Sequence, residues 1–359
     1  MGQLLVLKRT ELSIFEVYNS LSEFVSIHSQ FTLALRRDRD LSRAMACVSL
    51  LALTNKNNAI SQYIEYSTVQ LVVKNSNLNP RVVDELLSEF LSGIHASSDR
   101  AEVVIDLGAL RFIDPYGLVA LCLMGRYART VVPRVCFRVP PAVPLRRYLG
   151  RVRFDQAIEG VELEGPDLLV DLDREKVDSE SLLELTRIQA QADVESLLGH
   201  IGLRVEAILA EELLYTAVEI NQFKNVIAEL CHNILDHSMN WGYVTAQRYV
   251  DPRLRKKYVV IGVGDLGIGI KKSLSQRHDV SDWTHGAAIK NSLKQNFSRD
   301  DNRGLGLYIV NQICNRYRGS LHMRTGDTRL YIRGRNQSEH PSVHFPGTQV
   351  AIALYQRDT

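Results

Sequence analysis

A buried strand that ends in an acid and then turns on glycines is the feature that most constrains the fold of this chain. Residues 258–263 read YVVIGV, Asp265 follows, and Gly267 and Gly269 come directly after it. The apolar run predicts a buried strand, and the glycines permit a tight turn at its end. A buried carboxylate in this position can accept a hydrogen bond from an exocyclic amine, so Asp265 is a candidate for recognising adenine.

Upstream of that strand, three polar residues share one face of a predicted helix. Glu229, Asn233 and Asp236 are four and three residues apart within the helical pattern at 204–237. The Asn233 amide oxygen can ligate Mg²⁺, and the Glu229 carboxylate can orient an attacking water. A solvated helix face is the alternative for this spacing. For His237, a place beside a nucleotide and a packing role both stay open.

Two further pieces follow the strand. Gly304, Leu305, Gly306 and Leu307 precede a helical pattern with an apolar face. Backbone N–H groups in such a turn can hold phosphate oxygens, assisted by the helix dipole. The last piece is Thr348 in the FPGT sequence before the final predicted strand, where a hydroxyl can complete an adenine contact.

In this order and spacing, the four pieces resemble the N box, the D-x-G-x-G box, the G-x-G-L box and the terminal G-T of the family of gyrase, the heat-shock chaperone, histidine kinases and MutL (GHKL). The resemblance covers 204–359 and implies an α/β sandwich of the Bergerat type that binds ATP and Mg²⁺. It implies that Asn233 binds the metal and that residues 270–303 form a mobile lid. The nucleotide-binding residues it implies are Asn233, Asp236, His237, Asp265, Gly267, Gly269, Ile270, Gly304, Leu305, Gly306, Leu307 and Thr348.

A dinucleotide-binding turn is an alternative interpretation of the same glycines. Gly262, Gly264 and Gly267 have the G-x-G-x-x-G spacing after a strand. Asp265 opposes this interpretation, because it would place a negative charge inside the pyrophosphate cradle. The polar segment at 271–283 also stands where a second strand ending in an acid should begin. A Walker phosphate loop is absent from the sequence.

The middle of the chain alternates between strand and helix patterns. Apolar runs at 69–73, 103–107 and 135–139 predict strands, and helical spacing predicts helices at 80–94 and 115–129. This alternation implies an α/β layer structure.

Residues 103–121 (VVIDLGALRFIDPYGLVAL) resemble the STAS domain of anti-sigma-factor antagonists, and we assign 60–170 to a STAS-like domain on that basis. The family pattern has a phosphorylated serine at the helix start, where this chain has Pro115 and Tyr116. Tyr116 can accept phosphate in principle, and a packing or partner-contact role is the preferred interpretation. Asp114 is predicted to cap the helix.

The fold class predicted for the whole chain is a multi-domain α/β protein. Helical spacing predicts a helical N-terminal segment at 1–59, and a helical pattern at 180–198 predicts a helical linker at 171–203. The linker leads into the nucleotide domain at 204–359.

Composition and charge narrow the possible environments and partners. The formal charge is +2, which gives no strong signal for nucleic acid. Five scattered cysteines predict buried reduced thiols and a cytoplasmic protein. The longest apolar run, at 44–53, is too short to span a membrane.

These features predict an ATP-binding regulatory protein. Mg²⁺-dependent hydrolysis, with Glu229 as the catalytic residue, is expected to drive a conformational switch that is relayed to a protein partner or to a second copy in a homodimer. One alternative is a protein serine/threonine kinase of the anti-sigma type, and another is an interaction module that binds the nucleotide without turnover.

Overall fold

The computed structural model describes residues 67–95, 101–168, 181–237, 241–294, 306–316 and 319–357. The chain divides into two compact units, Met1–Glu65 and Tyr66–Thr359, and all described residues belong to the second. The predicted helical segment at 1–59 therefore lies outside the described residues.

The parallel-sheet half, residues 67–168, is built on four parallel strands in the order β1-β3-β5-β6. The short strands β2 (Asn77–Leu78) and β4 (Phe112–Ile113) form a separate two-stranded parallel sheet. The three strands and two helices predicted from the alternating pattern are confirmed to within two residues at each end. The elements are β1 Ser67–Val72, β2 Asn77–Leu78, α1 Pro80–His95, β3 Ala101–Asp106, β4 Phe112–Ile113, α2 Pro115–Val131, β5 Arg134–Arg138, α3 Val143–Arg151, α4 Phe154–Ala157 and β6 Glu162–Glu164.

Helix α2 begins as its sequence predicts. The Asp114 side chain accepts a hydrogen bond from the Gly117 backbone N–H at 2.7 Å, and Pro115 occupies the first turn, where no N–H is needed. Most of the helix is buried around its whole circumference. A helix that is apolar on all sides must be buried on all sides, and residues of both sheets pack against α2.

The antiparallel-sheet half, residues 181–357, contains a five-stranded sheet in the order β10-β11-β9-β8-β7. Among the described residues of this half, five helices accompany the sheet, and their apolar residues share one core with its inner face. The elements are β7 Ser181–Ile188, α5 Gln191–Glu211, α6 Ala217–His237, β8 Gly242–Val250, β9 Lys257–Asp265, α7 Gly269–Leu274, α8 His285–Ser292, α9 Gly306–Arg316, β10 Ser320–Arg333 and β11 Asn336–Tyr355.

The helical pattern predicted at 180–198 is wrong in its first part. Residues 181–188 form strand β7, and the helix starts only at Gln191. The segment SLLELTRI has apolar residues whose spacing suits a helix or a strand, so periodicity alone does not decide between them. Pairing with β8 decides it, and the Thr245 hydroxyl donates to the Leu183 backbone oxygen at 2.9 Å.

The two faces of the five-stranded sheet are covered by different elements. Alternate residues of β9, namely Val259, Ile261 and Val263, lie in one apolar cluster with the buried residues of α6. The outer face is covered by α2 of the parallel-sheet half, where Ala351 and Phe345 join the same cluster as the residues of α2. The described part of 66–359 is therefore layered, with helices α1 and α2 between the two sheets.

Gly262 and Gly264 are the residues that let α2 approach so closely. A Cβ on Gly262 would lie 2.4 Å from the Pro115 backbone oxygen, and a Cβ on Gly264 would lie 2.9 Å from Leu123 Cδ1. Position 262 requires glycine, because the Cβ would meet backbone, whereas at position 264 it would meet the end of a leucine side chain, which would have to shift. The first two glycines of the dinucleotide-like spacing thus serve the packing of a helix on a sheet.

The cysteines match the expected reduced state where they are described. Cys122, Cys136, Cys231 and Cys314 are buried and form no disulfide, and burial raises the pKa of each thiol. Cys47 lies outside the described residues. Within the ranges that the structure describes, no helix has both the length and the hydropathy needed to cross a bilayer.

Candidate nucleotide-binding site

Asp265 is buried at the end of β9, as predicted. Its carboxylate accepts hydrogen bonds from the backbone N–H groups of Gly267, at 2.6 Å, and Thr348. Burial raises the pKa of Asp265 to about 7 and outweighs the two hydrogen bonds, which act in the opposite direction. A carboxylate held by two backbone donors in a buried position is a suitable acceptor for an amine of a planar base.

The glycine turn after Asp265 depends on a threonine that sequence reasoning missed. Gly269 has a φ of +74°, and a Cβ on it would lie 2.8 Å from Thr325 Oγ1. That hydroxyl accepts from the Ile270 N–H at 3.2 Å and donates to the Gly347 backbone oxygen at 2.9 Å. Thr325 therefore connects the turn to the FPGT segment, and the only signal in the sequence was a Thr-Gly pair inside a strand pattern.

The FPGT segment lies directly against the end of β9. Gly347 has a φ of +78°, and a Cβ on it would lie 2.0 Å from the Asp265 backbone oxygen. Glycine is the residue that permits this contact. The predicted neighbours Asp265 and Thr348 are thus brought together by two glycine turns, Gly267–Gly269 and Gly347.

Gln349 and Arg324 form a second set of contacts that the sequence did not reveal. The Gln349 Nε2 atom donates to the backbone oxygens of Asp265, at 2.9 Å, and Pro346, at 3.0 Å. Its Oε1 atom accepts from Arg324 at 3.3 Å. Both side chains are almost completely buried in strand positions, where the pattern of apolar residues gives no indication of polar contacts.

The C-terminal part of α6 lies beside the end of β9. A Cβ on Gly242 would lie 3.0 Å from Ile234 and 3.2 Å from the Asp265 Cβ, so the last turns of α6 and Asp265 flank the same glycine. Glu229, Asn233 and Asp236 are each partly exposed on this helix. His237 is its last residue.

Only part of the predicted phosphate turn and lid is described. Gly306 begins α9, and Leu307 packs against the core of the antiparallel-sheet half. Gly304 and Leu305 lie outside the described residues. Within the predicted lid, helices α7 and α8 bury Ile270 and Ile289 in that core. This part of 270–303 is therefore packed on the domain, and residues 295–303 lie outside the description.

Residues 219–354 match a family model described as "Histidine kinase-, DNA gyrase B-, and HSP90-like ATPase". The match contains the polar face of α6, Asp265 and Thr348, and it supports the GHKL resemblance over this range. Domains of this family bind ATP and are ATPases or kinases. No curated protein sequence is significantly similar to the chain. The match begins at residue 219, so the STAS-like assignment of 60–170 stays a prediction.

Proposed function

We propose that this protein is an ATP-binding regulatory protein in which Mg²⁺-dependent hydrolysis of ATP drives a conformational switch. The observation that carries the proposal is the buried Asp265 carboxylate, which two backbone N–H groups hold at the end of β9. The family match over 219–354 supports the choice of ATP as the nucleotide.

The residues of α6 supply the chemistry that hydrolysis requires. An amide oxygen at Asn233 and carboxylates at Glu229 and Asp236 are ligand types that fit a hard cation and its waters. In this proposal Asn233 holds Mg²⁺, which when bound neutralises phosphate charge. Glu229 orients the attacking water and accepts its proton, while Asp265 holds the adenine amine. Glu229 lies one helical turn before Asn233, so both face the same side of α6.

A path of hydrogen bonds and one ion pair from the candidate adenine site into the parallel-sheet half supports the proposed switch. It runs by hydrogen bonds from the Asp265 backbone oxygen to Gln349 and then to Arg324, and by the ion pair to Asp84 of α1, whose Oδ1 atom is 3.6 Å from Arg324 Nε. Asp84 also pairs with Arg329 at 3.2 Å and accepts from the Ser342 hydroxyl. Removal of one partner from such a buried pair typically costs about 3–5 kcal/mol. The path therefore gives the nucleotide site a stiff connection to α1.

We propose that the parallel-sheet half is STAS-like and relays the state of the nucleotide to a protein partner or to a second copy. Tyr116, at the position of the phosphorylated serine in the STAS pattern, is 1% exposed. Its ring lies edge-on to His322 of β10, with centroids 5.0 Å apart. A side chain so placed favours packing over phosphate acceptance. Communication through α1 and α2 to the five-stranded sheet is the role that these contacts support.

Labelled ATP distinguishes the proposal from its alternatives. Purified full-length protein is incubated with Mg²⁺ and ATP labelled on the γ-phosphate, alone and with candidate protein substrates. Release of labelled phosphate by the protein alone supports the hydrolytic switch. Transfer of label to an added protein without such release supports the kinase alternative, and saturable binding without either supports the interaction module. Absence of ATP binding overturns all three.

A further inference from the structure

A cleft of about 700 Å³ lies between the starts of α1 and α2 and the outer face of the five-stranded sheet. Its floor is on the opposite side of the sheet from α6, because Val260 lines the cleft while its neighbours Val259 and Ile261 belong to the core beneath α6. The cleft is therefore separate from the nucleotide site described above.

Small side chains line the floor of the cleft. Ala353 of β11 pairs with Ser320 of β10 on one side and with Val260 of β9 on the other. Ala351, the next residue on the same face, pairs with His322. Small side chains at these positions of three adjacent strands leave space above the sheet for a planar ring.

One wall of the cleft carries buried polar atoms without partners. His322 is 8% exposed, and its Nδ1 atom has no hydrogen-bond partner among the residues that the structure describes. Burial, with Arg329 and Arg324 nearby, lowers the pKa of His322 to about 3, so its ring is neutral. The Nε atom of Arg329 on the same wall is likewise buried without a partner in the described ranges. Both atoms are closed off from the open space of the cleft, so they belong to the packing of the wall and the rest of the Arg329 guanidinium is the part that can meet a ligand.

The same wall has more positive than negative charge. Asp84 is shared by two arginines, with Arg329 NH1 3.2 Å from one carboxylate oxygen and Arg324 Nε 3.6 Å from the other. Arg324 is completely buried, whereas Arg329 lines the cleft. Arg329 is the one of these two guanidinium groups that lines the cleft. Arg81 lines it as well, so the lining has two guanidinium groups and one carboxylate, that of Asp114, which also accepts from the Gly117 N–H in capping α2.

We propose that this cleft is a second ligand site, which binds a small planar organic anion of the aromatic carboxylate or sulfonate class. The ring lies on Ala351 and Ala353, and the acid group faces the Arg329 guanidinium. The neutral His322 ring forms part of the wall. Nothing in this site requires a bound nucleotide.

The aromatic sulfonate 8-anilinonaphthalene-1-sulfonate is the probe for the test, titrated by fluorescence into nucleotide-free full-length protein. We expect saturable binding of one probe per chain. Ala353→Leu fills the floor without touching the ion pairs, and Arg329→Gln removes the positive charge. Each should weaken binding by about tenfold or more, as expected for the loss of a charge-assisted contact or of the space for the ring. Arg333→Gln, on the same strand but outside the lining of the cleft, is the matched control and should bind as wild type does.

An uncharged analogue, N-phenyl-1-naphthylamine, separates anion recognition from general apolar binding. It should bind at least about tenfold more weakly than the sulfonate if the Arg329 guanidinium contacts the acid group. Circular dichroism confirms that each variant is folded, and Ala353→Leu decides the matter if Arg329→Gln does not fold. Equal binding of the sulfonate by wild type and Ala353→Leu, equal binding of the two probes, or the lack of saturable binding overturns the proposal.

Discussion

The side-chain amide of Gln349 donates a hydrogen bond to the backbone oxygen of Asp265 across 2.9 Å. The same amide group bonds the Pro346 backbone oxygen, and its carbonyl accepts from the buried Arg324. Gln349 thereby holds the backbone on both sides of the candidate adenine pocket. It is a positioning residue, because it reaches the carboxylate of Asp265 only through the main chain.

We expect Gln349→Leu to weaken ATP binding and to lower stability. The change leaves two backbone oxygens and a guanidinium without their partner, at a cost of about 1–3 kcal/mol for each unsatisfied group. Isothermal titration with ATP and thermal unfolding measure the two effects. Gln356→Leu is the control, since Gln356 accepts from the Lys257 N–H at the far end of the same strand and should leave ATP affinity unchanged. Wild-type ATP affinity in Gln349→Leu would contradict the positioning role.

Asp265→Asn should reduce ATP affinity by about 10- to 100-fold, because a hydrogen bond to a charged group is worth about 1.5–3 kcal/mol. The substitution keeps the size of the side chain and its place at the end of β9. Equilibrium binding of a fluorescent ATP analogue, competed with unlabelled ATP, measures the loss. An unchanged dissociation constant would remove Asp265 from the base-recognition role.

Glu229→Ala should retain ATP binding and lose hydrolysis by about 10²- to 10⁴-fold, the usual contribution of a general base. The residue is on α6 and is not one of those proposed to contact the base, so affinity and turnover should respond separately. Phosphate release under saturating ATP, together with the binding assay, separates the two quantities. Normal turnover in the variant would end the assignment of Glu229 as the base that orients water.

Asp265 should also make stability depend on pH. Its pKa is about 7 in the folded protein and near the ordinary 3.8 when unfolded, so between these values the folded state binds the proton more tightly. The contribution of this group to stability is therefore present at low pH and declines as pH rises toward 7. Asparagine does not titrate, so the melting temperature of Asp265→Asn should rise relative to wild type between about pH 4 and pH 7. A constant difference across this range would contradict the raised pKa.

Gly262→Ala should destabilise the protein by about 1–3 kcal/mol, the usual cost of overpacking. Its new methyl group would meet the Pro115 backbone oxygen at 2.4 Å, and a backbone atom at a helix start has little room to move. Gly199→Ala in the exposed part of α5 has open space around it and should instead add about 0.5–1 kcal/mol, since alanine favours helix. Denaturant unfolding of both variants tests the contrast. Equal effects at the two sites would contradict the packing explanation.

The sequence predicted those parts of the molecule that depend on local pattern. The strand ending at Asp265, the turn at Gly267 and Gly269, and the Asp114 cap all follow from residues close together in the chain. Strand β7 was missed because its apolar residues also fit helical spacing, and only the pairing with β8 distinguishes the two.

The contacts behind the candidate site were beyond the reach of sequence patterns for a different reason. Thr325, Arg324 and Gln349 are polar residues buried within strands, and their partners are main-chain atoms or residues far away in sequence. The covering of the sheet by α2 is equally non-local. Nothing near Gly262 indicates that Pro115, more than a hundred residues earlier, lies against it.

The close contact between Pro115 and Gly262 also limits how such a chain can evolve. A nucleotide domain joined to its neighbour by a flexible tether can be exchanged by recombination, because the two make few demands on each other. Here Gly262 in the ATPase-like half packs against the start of α2 in the other half. Gly264 packs against the next turns of the same helix. A domain acquired from elsewhere would need glycine at position 262 and a small residue at position 264, so these two halves are expected to descend together as one inherited unit.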